Sequence, residues 1–412
     1  MNNSDKIYEC RSCSSDKIEV IWELEKTPYG DLFKASKAEA KKLELQFLTL
    51  VICSNCSLLQ LLNNPEIQVI YENYLYRTSI TNPLFSCYNQ LANRLVNEYR
   101  ISKDDLVVDI GSNDGTFLGN FKDKGIKVIG VEPTLKSAQV ALDNGIATFT
   151  GYFDIEACNF IDKQQEKLAL VSANYVLANI VDLKSFFTLI TSLMTDKTVF
   201  SVVTGYHPDQ FSVSMFEYIN HDHLFYFTLK SFANLCENFG LKIIDATRIE
   251  HKGGSIQFVI VKNSSQLETQ SSVSQIAQRE QWLNCNSAEY VLNFKSNIEH
   301  IKTSVNNLLS SIDESNVYGV GASISTTQLC NQFNLSQKID YIFDDDINKI
   351  GKYSPRSGIE VKALSELPNY SGSLLIILAW QHTNRIINRL KEVNFKGKVL
   401  VPLPNPNIIS II

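Results

Sequence analysis

The chain has 412 residues, of which 44% are hydrophobic and 20% charged, and its formal net charge is −6. That length provides for two to four domains with real cores. The acidic balance argues against a general phosphate-backbone binder, so nucleic acid is not an expected partner. Met1 to Lys6 is polar, and no apolar run approaches the roughly 20 residues of a membrane span. Neither a leader nor a membrane partner is therefore expected, and the protein is placed in the cytoplasm.

Residues 1–65 carry Cys10-Arg-Ser-Cys13 and Cys53-Ser-Asn-Cys56 between strand-like runs at Ile18–Leu24 and Phe47–Ile52. Two CxxC turns bring four thiols to one point, and tetrahedral zinc takes four thiolates at about 2.3 Å. With all four positions filled, the ion is structural. Thiol redox is the competing reading of a CxxC, but it needs a motif that opens a helix in a thioredoxin-like unit. The remaining thiols, Cys87, Cys158, Cys236, Cys285 and Cys330, are scattered and read as ordinary buried residues.

Residues 66–262 alternate helical and strand patterns, which predicts a doubly wound, mostly parallel sheet covered by helices. Within this zone Val107-Val-Asp-Ile-Gly-Ser-Asn-Asp-Gly-Thr116 runs an apolar strand into Gly111 and Gly115, with a helix from about Phe117. Glycines let the backbone pass close under a ligand, at the carboxyl strand ends where open α/β sheets bind ligands. The next strand, Val128-Ile-Gly-Val-Glu132-Pro133, ends in an acid about 20 positions after the turn, placed for the hydroxyls of an adenosine ribose. The run between the glycines, Ser112-Asn-Asp114, is acidic and would repel a pyrophosphate, whereas a cationic sulfonium beside carboxylates is favourable. S-adenosylmethionine is thereby favoured over NAD. Asn113 and Asp114 also suit a helix cap, which is compatible with either ligand.

A polar Ser/Gln-rich stretch, Asn263–Gln281, leads into a long amphipathic helix within a helical linker over 263–315. Its stripe is Val291, Phe294, Ile298, Ile301, Val305, Leu308 and Ile312. It lasts only three heptads, which favours a helix along a domain edge over a dimerising coiled coil. A monomer or weak homo-oligomer is expected. Residues 316–412 then repeat strand, turn and helix, with strands at Asn316–Val320, Ile339–Phe343 and Leu374–Ala379, and read as a second, Rossmann-like α/β domain.

With these pieces in place, the chain resembles the nucleotide-sugar C-methyltransferases that build branched deoxysugars. The resemblance covers nearly its whole length. It rests on both CxxC pairs, Tyr71-x-x-Tyr74-x-Tyr76, Gly111-Ser-Asn-Asp-Gly115, Gly130-Val-Glu-Pro133 and Ala173-Asn-Tyr-Val-Leu177. It continues through His221-Asp-His223, Gly253-Gly-Ser255, Tyr318-Gly-Val-Gly321 and Asp344-Asp…Lys349-x-Gly-Lys-Tyr353. It implies a zinc module, a class I S-adenosylmethionine methyltransferase domain and a Rossmann-like domain that helps hold a nucleotide-sugar substrate. The donor residues it implies are Asp109, Gly111, Asn113, Asp114, Gly115, Glu132, Pro133 and Asn174. The implied chemistry is removal of a proton next to the ketone of a keto-deoxysugar and attack of the enolate on a methyl group. His223 maps to the family's base, and a base works best with a pKa near the operating pH.

Departures fall on the acceptor side. The family's Tyr-His-Glu-His run is Asn220-His221-Asp222-His223 here, its histidine after Val-Leu-Ala is Asn179, and its C-terminal lysine falls at Ser323. Tyr76, Asn179, Asn220, His221, Asp222 and His223 form the expected acceptor set. The pattern suggests the same donor with a different acceptor. The alternative is a scaffold that methylates another atom, or that binds the donor without methylating carbon. His221 and His223 share a face if extended, so with Asp222 they also admit a metal site. Asp344 and Asp345 read equally as a second ribose-binding acid or a solvated turn, and Trp380, beside His382, as a nucleobase platform or as core.

Overall fold

The computed structural model describes residues 8–66, 82–312 and 316–411. Tyr71, Tyr74 and Tyr76 lie outside the described residues. Three sheets carry the fold, and their strands number β1 to β17 in chain order.

The first sheet is built from β1 (Ile18–Thr27), β2 (Gln46–Cys53) and β3 (Leu59–Leu61), all antiparallel. The central sheet comprises β4 (Asp105–Ile110), β5 (Lys127–Glu132), β6 (Ala147–Thr150), β7 (Lys167–Asn174) and β8 (Val199–Gly205), then β10 (Leu241–Ile249) and β11 (Ser255–Lys262). Its order is β10-β11-β8-β7-β4-β5-β6, parallel except for the hairpin β10–β11 at one edge. Strands β4 and β8 are buried at every position, as expected where helices cover both faces. The order reverses between β4 and β7, so the crevice above their carboxyl ends is the switch point where such sheets bind ligands. The third sheet holds β12 (Val317–Val320), β13 (Tyr341–Asp344), β14 (Glu360–Ala363), β15 (Leu374–Ile377), β16 (Gly397–Val401) and β17 (Asn407–Ile411). It is parallel except at β17.

Strand β9 (Phe225–Tyr226) differs from the sequence expectation. It lies in the central zone of the chain but pairs with β3, Leu59 opposite Tyr226 and Gln60 opposite Phe225, and so completes the first sheet. Its run of buried aromatics satisfies either sheet, and local pattern carries no information about which edge it joins. The polar stretch before the long helix is also more ordered than its composition suggests. It contains a helix, Ser271–Leu283, that buries Ile276 and Glu280. The Glu280 carboxylate accepts from the Tyr206 hydroxyl (3.0 Å) and from the N–H groups of Leu229 and Lys230, at the start of the earlier helix Leu229–Glu237.

The long helix Ala288–Ser310 packs along β1, with Trp22 edge-on to Phe294 and Phe294 stacked on Phe211 at 3.8 Å. Its buried stripe runs through Val291, Phe294, Ile298, Ile301 and Val305 to Leu309; Leu308 and Ile312 are only partly covered. From the helix Ile324–Gln332, the side chain of Gln332 donates to Glu25 O (2.8 Å) and accepts from Glu25 N (3.0 Å), bonding to the edge of β1. One apolar core runs from Cys10 and Trp22 through Phe187 and Phe258 to Ile376, so the three sheets form one packed body. Among the described residues, no helix is long and apolar enough to cross a membrane.

Candidate active site

Cys10, Cys13, Cys53 and Cys56 converge, with all four sulfurs within 4.8 Å of one another. Cys10 Sγ lies 3.5 Å from Cys56 Sγ and Cys13 Sγ lies 3.7 Å from Cys53 Sγ. Four thiolates around one tetrahedral zinc stand about 3.8 Å apart, given bonds of about 2.3 Å. Both knuckles close with a backbone bond, Ser14 N to Cys10 O and Ser57 N to Cys53 O, each 2.9 Å. Among the described residues this is the one cluster that could hold a metal, and His221, Asp222 and His223 do not form another.

The second feature is a cleft of about 770 Å³ at the switch point of the central sheet. Asp109, Gly111, Asn113, Glu132, Pro133 and Asn174 line it. Gly111 has φ +69°, and a Cβ there would stand 2.3 Å from the Val176 side chain, which makes glycine obligatory. Glu132 is buried at the end of β5, where its carboxylate accepts from Asn113 N (2.9 Å) and Thr134 N (2.7 Å). Burial raises its pKa. Asp109 accepts from the Ser172 hydroxyl (2.6 Å) and Asn174 Nδ2 (3.2 Å), and burial, with Glu132 nearby, pushes it up to about 7. Asp114 accepts from Thr116 N and Oγ1 at 3.2 and 2.6 Å, bracing the first turn of the helix Thr116–Lys122. Asp114 and Gly115 therefore shape the turn, while Asn113 and Glu132 face the cleft. Asn174 Oδ1 and Ser112 Oγ are buried without a hydrogen-bond partner. Orphaned polar atoms in an otherwise satisfied crevice fit a polar ligand there.

Of the acceptor-side residues, Asn220, His221, Asp222 and His223 lie on the loop that enters β9. Leu224 N donates to Ala178 O at 2.6 Å, which ties this loop to the 3₁₀ turn Leu177–Asn179, and Asn179 lines the cleft. Asn220 is occupied inside the loop, accepting from Asp222 N (2.9 Å) and donating to Glu217 O (3.3 Å). His221 turns away from the cleft. It is 3% exposed, its Nε2–H donates to Phe47 O (3.1 Å), and its ring meets Tyr29 edge-on at 5.1 Å. Asp222 is pushed up to about 7 by burial and by Asp31. His223 stacks on Tyr218 at 4.0 Å, and its Nδ1–H donates to Tyr218 O at 3.0 Å, leaving the lone pair on Nε2.

Lys252, passed over in the sequence, stands in the cleft wall with its ammonium 4.0 Å from the Tyr175 ring centroid. Its sequence signal is a cation directly before Gly253-Gly254. Burial, with a smaller contribution from the Lys252 charge, holds His223 down to about 4. That is below the range suited to a base at neutral pH, because a buried imidazolium loses hydration and meets a like charge. In the third sheet Asp344 accepts from Ala322 N (2.5 Å) and Asp346 N (2.8 Å), whereas Asp345 is exposed beside Arg389. Ser323, at the position of the family's lysine, caps the helix Ile324–Gln332.

Residues 86–246 match the family model described as a methyltransferase domain, and residues 250–404 match the one described as a C-methyltransferase C-terminal domain. The second match begins in the β10–β11 hairpin of the central sheet. The C-methyltransferase NovU of Streptomyces niveus is 27% identical over 408 residues, 98% of this chain and 97% of its own. An S-adenosylmethionine-dependent methyltransferase structure from Clostridium acetobutylicum is 12% identical, over 43% of this chain and 92% of its own, with a TM-score of 0.33. A magnesium protoporphyrin IX methyltransferase from Synechocystis is 12% identical, over 43% of this chain and 79% of its own, with a TM-score of 0.31. The strand order, the cleft at its switch point and the matched domain model define an S-adenosylmethionine-dependent methyltransferase. Within that class, the second matched model and the full-length likeness to NovU make the chain similar to the C-methyltransferases.

Proposed function

We propose that this enzyme methylates a carbon beside the ketone of a nucleoside-diphosphate-linked keto-deoxysugar. S-adenosylmethionine, when bound, supplies an electrophilic methyl group on a sulfonium. Asp109, Asn113, Glu132 and Asn174 would hold it, with Gly111 giving the close backbone approach. Each carboxylate oxygen of Glu132 has a second lone pair available for a ribose hydroxyl, and Asn174 Oδ1 is an acceptor in need of a donor. Cys10, Cys13, Cys53 and Cys56 would hold a structural zinc, which has no position left for a substrate.

The observation that carries the acceptor chemistry is the tautomer of His223. Its Nδ1–H is committed to the Tyr218 carbonyl, so the neutral ring presents a proton acceptor at Nε2. Burial keeps it neutral at pH 7. His223 then takes the proton α to the ketone; Lys252, whose charge reaches His223, and Asn179 line the cleft. Asn220, bound within its own loop, offers no phenol to the sugar, which fits an acceptor substituted differently from those of the resembling family.

Deuterium wash-in tests this reading. A nucleoside-diphosphate keto-deoxysugar incubated with the protein in D₂O, without methyl donor, should gain deuterium at one α carbon. His223→Ala should slow that exchange by about 10²–10⁴-fold, the usual worth of a positioned base. Equal exchange by wild type and variant would exclude His223 as the base.

A further inference from the structure

The turn His251–Gly254 places a cation, Lys252, in the wall of the cleft. Lys252 adopts φ +51°, followed by Gly253 at +74° and Gly254 at +122°. A non-glycine residue held in the left-handed region is uncommon and needs support from its surroundings. Several contacts give that support. Gln210 Nε2 donates to Lys252 O (3.3 Å), Gly254 N donates to His251 O (3.0 Å), and Tyr206 N donates to Gly254 O (3.1 Å). A Cβ on Gly254 would stand 2.3 Å from Asp209 Cβ, so the turn is seated tightly on the helix His207–Ser212. The side chain it presents lines the cleft over the Tyr175 ring, near the end of β7, and its charge reaches His223. Among the described residues, the titratable groups near it include Tyr218 behind His223, His251 on its own turn, and His382, which faces His251. Desolvation in this setting brings the Lys252 ammonium down to about 8.

Resting on the C-methylation reading above, we propose that Lys252 is a catalytic residue of the acceptor side. Its ammonium holds the ketone oxygen and receives the negative charge that develops there when the adjacent carbon loses its proton. His223 Nε2 takes that proton. The C–H electron pair becomes the carbon–carbon double bond, and the carbonyl π pair moves onto oxygen, where a Lys252 N–H donates to it. Proton and electrons balance with no further reactant. The arrangement answers a specific difficulty. A base kept neutral by burial and by a neighbouring cation is weak, so the enolate has to be stabilised at its oxygen, and a cation in a desolvated cleft does this most strongly. Burial lowers the basicity of His223, the Lys252 charge adds to that, and the same charge supplies the compensation.

The test is α-proton exchange of thymidine diphosphate-linked 4-keto-6-deoxyglucose in D₂O without methyl donor, followed across pH. Wild-type exchange should fall as pH rises through about 8, because the required ammonium is lost. Lys252→Met should lower it about 10²–10³-fold, the usual loss on removing one oxyanion donor. Its acid limb should also move to higher pH, since the cation that depresses His223 is gone. Lys252→Arg should recover part of the rate and lose the alkaline fall, and binding of S-adenosylhomocysteine shows that each variant is folded. Exchange that instead rises through about 8 makes Lys252 a base and overturns the proposal. So does a Lys252→Met variant altered only in half-saturating concentration, which marks an anchor for the diphosphate. If wild type exchanges and Lys252→Met matches it, this inference alone fails; if wild type exchanges nothing, the C-methylation reading falls and takes it along.

Discussion

Glu132 accepts two backbone hydrogen bonds, from Asn113 and Thr134, that hold its carboxylate at the rim of the cleft in one orientation. A carboxylate fixed in this way before the ligand arrives pays little ordering entropy on binding. Glu132→Ala should therefore weaken S-adenosylhomocysteine by about 1–3 kcal/mol in titration calorimetry, the cost of a lost charged hydrogen bond. Its raised pKa adds a pH signature. On acidification Glu132 takes up a proton at a higher pH than an ordinary glutamate, so affinity should begin to fall earlier than in a site with an exposed acid. Glu132 was legible in the sequence because strand, turn and acid follow one another within about 20 residues. Lys252 and the orphaned Ser112 hydroxyl were not, since each owes its position to segments far away in the chain.

The loop from Met215 to β9 is held from both sides. From the first sheet, Leu61 N donates to Leu224 O (2.9 Å) and Phe47 O accepts from His221. From the third, Gln328 Nε2 donates to Ile219 O (2.9 Å), and Gln381 bonds to the buried Glu217. Burial pushes Glu217 up to about 8, so it is held as the neutral acid. On the proposed chemistry, His221, bonded to Phe47 O, would act by positioning its neighbour. His221→Phe keeps the ring against Tyr29 and removes the bond to Phe47. It should speed amide hydrogen exchange across 216–226 and lower the rate of α-proton exchange, with S-adenosylhomocysteine affinity unchanged. Unaltered amide protection in that loop would remove the argument for the strut.

At the scale of the whole molecule, the four-cysteine cluster sits at the far end of the same support. Asn234 Nδ2 donates to Cys56 O at 3.5 Å, and the second knuckle lies between β2 and β3, the strand that receives β9. Metal analysis of protein purified without chelators should give about one zinc per chain. Stripping the metal should unfold the first sheet, since such binding is coupled to folding. The prediction is selective. S-adenosylhomocysteine should still bind, because its cleft is walled by β4, β5, β7 and their turns, whereas α-proton exchange should be lost with β9 and the His223 loop. The CxxC knuckles, the glycine turn with the acid that follows it and the alternation of strand and helix could all be read from the sequence, because each rests on spacing within a short stretch of chain. The capture of β9 by the first sheet, the turning of His221 towards Phe47 and the placing of Lys252 beside His223 were decided only in the tertiary structure. They depend on packing between segments more than a hundred residues apart in most cases, and an aromatic run or a lone lysine satisfies many such packings equally well until the whole core is assembled.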